Sequence, residues 1–129
     1  MKASFATILL TLTFSHFAFA HGANKAGPHG GYIRMPGNYH IELVPAENKE
    51  IKVYFLDMTF APVSLEEAQV TMTLKGKKTL KAECLKEQHF FRCDTKDQSF
   101  KNYREVIVES SRDGKGLTSS VYKIPLSFQ

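Results

Sequence analysis

Three histidines and one carboxylate stand in the first third of the chain at spacings that metal chemistry can use: His21, His29, His40 and Glu42. Cleavage before His21 would create a chain that begins with histidine, whose terminal amine and imidazole can chelate one ion through two nitrogens. One or two further imidazoles complete a three- or four-nitrogen set, which suits Cu(II), with zinc as the alternative. Glu42 follows His40 by two residues and shares its strand face, where it could add an oxygen ligand or orient an imidazole from behind. The same residues have a plainer reading: an arm that ends in histidine by accident of cleavage, a histidine before a glycine turn, and a surface histidine.

Other chemistry is thinly represented. Met35, Met58 and Met72 could offer thioether sulfur to Cu(I), but Met35 and Met72 fall on inward strand positions and read as core filling. His89, beside Phe90 and Phe91, reads as a surface turn residue. No Gly-x-Ser-x-Gly elbow, phosphate loop or His-Glu-x-x-His pattern occurs, so the chain is expected not to be an enzyme. The formal net charge is +4, with lysines and glutamates interspersed, which argues for a solvated surface and against a nucleic-acid partner. There is no tryptophan, and the aromatics are mostly phenylalanines at core-like spacing, which disfavours a sugar-binding platform.

These residues need elements to hold them. Lys2, an apolar run over residues 5–14 and the small residues Ala18 and Ala20 make residues 1–20 a secretory signal peptide. Ser15 and His16 interrupt that run too early for a membrane span. The product is expected to be periplasmic or secreted, without a membrane span in the mature chain. Residues 21–31, rich in glycine and without apolar periodicity, read as a flexible arm, and residues 32–129 as one domain.

In that domain apolar residues recur at every second position: Tyr39, Ile41, Leu43; Ile51, Val53, Phe55; Val70, Met72, Leu74; Val106, Val108. This is the period of strands with one buried face, and no window shows helical spacing. Turn chemistry breaks the runs at residues 36–38, 46–49, 75–77, 86–88 and 112–116, while Pro62 fits a crossing between sheets. The expected fold is all-β, an immunoglobulin-like antiparallel β-sandwich of seven or eight strands with Greek-key connections; an antiparallel barrel carries the same pattern.

Two register arguments refine it. A turn at residues 86–89 sets Cys84 opposite Cys93, and an exported chain with only these two cysteines is expected to join them, stapling one hairpin at a sheet edge. Cys-x8-Cys matches neither redox nor zinc spacing. A three-residue turn at residues 36–38 pairs Met35 with Tyr39 and Ile33 with Ile41, keeping the apolar side chains together. It sets Arg34 opposite His40 and Tyr32 opposite Glu42, so a fixed positive charge weighs against His40 as a ligand.

A resemblance adds to this. His29-Gly30-Gly31, then Tyr39-His40-Ile41-Glu42-Leu43-Val44, then Val53-Tyr54-Phe55-Leu56-Asp57 and Ala61-Pro62-Val63-Ser64-Leu65 resemble small exported proteins and N-terminal modules associated with heavy-metal efflux adaptors of the resistance-nodulation-division type. The resemblance spans roughly residues 28–74. It implies a periplasmic β domain working near copper, zinc or related metals, with His29, His40 and Glu42 as positions of interest. The adaptor's coiled-coil and lipoyl-like parts have no counterpart in this chain, so the role implied is that of a separate accessory to an envelope or efflux protein. The competing expectation is a non-catalytic envelope interaction module with incidental histidines. An enzyme of the terminal-histidine copper class ranks last, because it would need an aromatic-rich substrate face.

Overall fold

The structure is a computed structural model that describes residues 25–46, 49–96 and 98–129. The expected signal peptide and His21 lie outside the described residues.

Eight strands form, in chain order β1 (Tyr32–Arg34), β2 (His40–Pro45), β3 (Glu50–Leu56), β4 (Gln69–Gly76), β5 (Thr79–Lys86), β6 (Phe91–Asp94), β7 (Tyr103–Ser111) and β8 (Thr118–Lys123). All pairings are antiparallel, and they make one ladder ordered β1-β2-β3-β6-β5-β4-β7-β8. The fold is all-β and antiparallel. β4, β5 and β6 are linked by hairpins, and β7 returns beside β4, which is a Greek key.

β5 explains why the ladder is continuous. Residues 79–82 pair with β4, and residues 83–86 pair with β6, so one strand hands the ladder from one half to the other. Two separately bonded layers do not arise; the sheet is nearly closed. Its free ends, β1 and β8, meet through side chains. Arg34 donates from Nε to the Val121 carbonyl at 3.2 Å and lays its guanidinium 4.7 Å from the Tyr122 ring centre. Tyr122 in turn donates across the core to the Ile41 carbonyl at 3.1 Å. Burial at this seam pushes the Arg34 pKa down and the Tyr122 pKa up.

The core is built by the alternation itself: Ile41, Leu43, Val53, Phe55, Met72, Leu74, Val106, Val108 and Tyr122 all point into it. Cys84 and Cys93 face each other across β5 and β6 and are bonded at 2.07 Å. The expected staple at a sheet edge is corrected here. β5 and β6 lie mid-ladder, and Cys93 is a fully buried core residue.

The opening hairpin departs from its expected register by one residue. Tyr32 pairs with Leu43, Ile33 with Glu42 and Arg34 with Ile41. The slip puts Tyr32 and Arg34 on the core side and Ile33 and Met35 on the outer side. Met35, expected in the core, is 58 % exposed, whereas Met72 is buried as expected. Matching Ile33 to Ile41 assumed that the outer face of β2 is solvent, and it is not.

Candidate metal centre

The outer face of β2 and β3 is roofed by two segments, residues 27–31 and the loop of residues 57–61. Residues 27–31 fold back over Glu42 as a closed turn: Gly30 donates to the Gly27 carbonyl and Gly27 to the Gly31 carbonyl, both at 2.9 Å. The glycines are needed for contact. A Cβ on Gly27 would stand 2.4 Å from Glu42 Oε1, and one on Gly31 would stand 2.6 Å from the Leu43 carbonyl oxygen. From residue 27 onward the stretch expected as an arm is a turn packed against β2.

Under that roof Glu42 is 0 % exposed, a carboxylate wholly removed from water. Such a charge is tolerated only with donors around it. It has three: Oε1 accepts from the backbone N–H of His29 at 2.9 Å and of Gly31 at 2.8 Å, and Oε2 lies 2.7 Å from His29 Nδ1. These are charge-assisted bonds at short range, about twice as strong as neutral ones. The His29 ring stacks on Tyr54 with centroids 3.7 Å apart and planes 9° from parallel. Tyr54 is the cross-strand partner of Glu42, and its pKa is raised by burial and then by the Glu42 charge.

A carboxylate accepts and does not donate, so the hydrogen between the two groups resides on Nδ1. In the neutral imidazole the lone pair is then on Nε2, at the edge of a side chain that is 34 % exposed. A carboxylate that fixes the tautomer, a ring that clamps the plane and a free Nε2 are the arrangement by which a protein presents a histidine to a metal ion. Both Glu42 oxygens are engaged by His29 and Gly31, so Glu42 is placed to orient the His29 imidazole, not to serve as an oxygen ligand.

His40 is placed differently. It is 8 % exposed rather than a surface residue; its Nδ1 lies 2.9 Å from the Asp57 carbonyl, and its ring stacks on Phe60 at 4.4 Å. The expected opposition to Arg34 is corrected by the register, since Arg34 faces Ile41. The structure thus brings His29 and Glu42 together and gives His40 separate partners. Among the described residues no group of three or more His, Cys, Asp or Glu is positioned to hold a metal ion. His89 is exposed at the β5–β6 turn, as expected.

Gly27, Gly31 and Tyr54 were not singled out as site residues in the sequence. The clue available for the first two is Gly27-Pro28-His29-Gly30-Gly31 itself, where glycines bracketing a histidine mark close backbone approach as readily as mobility. Tyr54 gives no signal until the β2–β3 register is known.

Comparison of the chain with protein-family models, curated proteins and solved structures gives no match. Among the described residues no helix is long and apolar enough to cross a membrane.

Proposed function

We propose that the protein is an exported, non-catalytic metal-binding protein that holds Cu(II) with the mature amino terminus and His29. The observation that carries this reading is the buried Glu42 bonded to His29 Nδ1 at 2.7 Å, which leaves Nε2 as a preset imidazole ligand. The amine and imidazole of His21 would supply two more nitrogens, completing the nitrogen-rich set that Cu(II) favours, with zinc as the competing ion. Residues 22–26 would have to bring His21 to the ion that the His29 imidazole faces. In this reading the protein works in the periplasm as an accessory to heavy-metal efflux, and its partners are the metal ion and an envelope or efflux protein.

The test is electron paramagnetic resonance of the exported protein with one equivalent of Cu(II), beside a version carrying one extra residue before His21. A nitrogen-rich spectrum that weakens or changes in the extended version supports the proposal. Equal binding by both versions removes the terminal amine from the ligand set. No binding of copper or zinc at micromolar concentration, with co-purification of one envelope protein, would select an interaction module instead.

A further inference from the structure

The turn that joins β4 to β5 and the loop that joins β6 to β7 lie against each other and form the walls of an open cavity of about 530 Å³. Glycine makes the contact possible. The Gly76 N–H donates to the Lys78 carbonyl at 3.0 Å, and a Cβ on Gly76 would stand 3.1 Å from the Asn102 carbonyl oxygen. The facing loop is pinned by bonds of its own: the Gln98 N–H donates to the Thr95 carbonyl at 3.1 Å and the Asn102 N–H to the Ser99 carbonyl at 3.0 Å. Lys96 takes the left-handed region at φ 50°, and its N–H donates to Asp94 Oδ1 at 2.8 Å.

The charge on these walls has one sign. Lys77 and Lys78 line the cavity from the turn and Lys96 lines it from the loop, and among the described residues no carboxylate lines it. Two acids on the adjoining strands are engaged elsewhere: Asp94 with the Lys96 N–H, and Glu105 with Lys123 Nζ at 2.5 Å. Three like charges around one concave space repel one another and concentrate anions there. Neutral residues able to donate hydrogen bonds share the walls, namely Thr79, Gln98, Asn102 and Tyr103. Leu80 and Tyr103, both half-buried, add apolar surface.

From this lining we propose that the cavity binds a phosphate monoester. A phosphate group brings nearly two negative charges and three acceptor oxygens, which match three ammonium groups and several neutral donors better than a single carboxylate does. The cavity is larger than a bare phosphate requires and lies in the size range of sites for small organic ligands, so the organic part of the ester packs on Leu80 and Tyr103. Two sources present this group: a soluble phosphate ester and the headgroup of phosphatidic acid. The site shares no residue with the His29 centre and stands or falls separately from the copper reading.

Nuclear magnetic resonance on the purified protein tests it with glycerol 3-phosphate in one arm and phosphatidylcholine vesicles with and without phosphatidic acid in the other, both at physiological salt. The side-chain amide signals of Gln98 and Asn102 should respond saturably in at least one arm. The triple variant Lys77→Gln, Lys78→Gln, Lys96→Gln alters only exposed side chains. It should keep the wild-type amide spectrum and lose roughly tenfold or more in affinity. A second triple variant, Lys25→Gln, Lys86→Gln, Lys115→Gln, removes the same charge from other exposed positions and should bind as the wild type does. A lysine-dependent response to glycerol 3-phosphate identifies a soluble ester, and one confined to phosphatidic acid vesicles identifies the lipid headgroup. No saturable response in either arm, wild-type affinity in the first variant, or an equal loss in the second would overturn the proposal.

Discussion

Replacing Glu42 by glutamine keeps the shape of the buried side chain and inverts its hydrogen-bond logic. The amide oxygen can still accept from the His29 and Gly31 backbone, while the amide nitrogen now donates to His29 Nδ1. Nδ1 must then accept, and the hydrogen moves to Nε2. Glu42→Gln is expected to keep the fold and weaken copper binding by roughly 10- to 100-fold, the range for loss of a supporting carboxylate. Imidazole nitrogen shifts of the metal-free protein check the tautomer directly. At Gly27 the prediction concerns space. Gly27→Ala puts a methyl 2.4 Å from Glu42 Oε1, so the turn must move, and overpacking of this kind costs about 1 to 3 kcal/mol. Hydrogen exchange at the His29 and Gly31 amides should accelerate, and copper affinity should fall with it. Residue chemistry was partly legible in the sequence: His29 and Glu42 stood out by type, but the contact between them depends on glycines that also read as a loose arm. His40 was misplaced because a buried outer-face histidine violates the assumption that one side of the strand is wet.

At the level of elements, the loop of residues 57–61 depends on one ionised group. The Thr59 hydroxyl is the largest cause, followed by the Ala61 and Thr59 amides, of an Asp57 pKa below its ordinary 3.8. Because the folded value is depressed, the loop's support is complete above the unfolded value and is lost as pH falls through the folded one. Thr59 and Ala61 amide signals should therefore move as the pH drops below about 4, and Asp57→Asn should abolish that transition. The disulfide allows a second prediction. With a sequence separation of 9, its closure of a short loop contributes about 2 to 3 kcal/mol. Urea unfolding with and without reductant should show that loss as a lower midpoint; coincident curves would mean that β5 and β6 hold without the bond. Apolar alternation and turn spacing pointed to seven or eight strands, and the turn at residues 86–89 pointed to this cross-strand pairing. Apolar matching failed in the first hairpin, where Tyr32 and Arg34, both polar-tipped, take the inward positions and Ile33 lies outside beside Glu42.

The whole molecule is one sheet whose ends meet at Arg34, Val121 and Tyr122. Nothing local in the sequence announces that seam, since it joins residues far apart in the chain, and alternation alone does not distinguish a sandwich from a nearly closed sheet. Arg34→Ala removes a hydrogen bond from a charged group and a cation–π contact, a loss of about 2 to 4 kcal/mol. Faster hydrogen exchange in β1 and β8, with β4 protected as before, would locate the effect at the seam. Closure leaves β2 and β3 with a roofed outer face, and His29 and Glu42 meet under that roof. The central claim is that His29, set by Glu42, gives its Nε2 to copper. Pulsed electron paramagnetic resonance of the one-equivalent Cu(II) complex counts coordinated imidazoles, so comparison of the wild type with His29→Gln tests it most directly. The expected result is one imidazole fewer in the variant; an unchanged imidazole count would contradict the account.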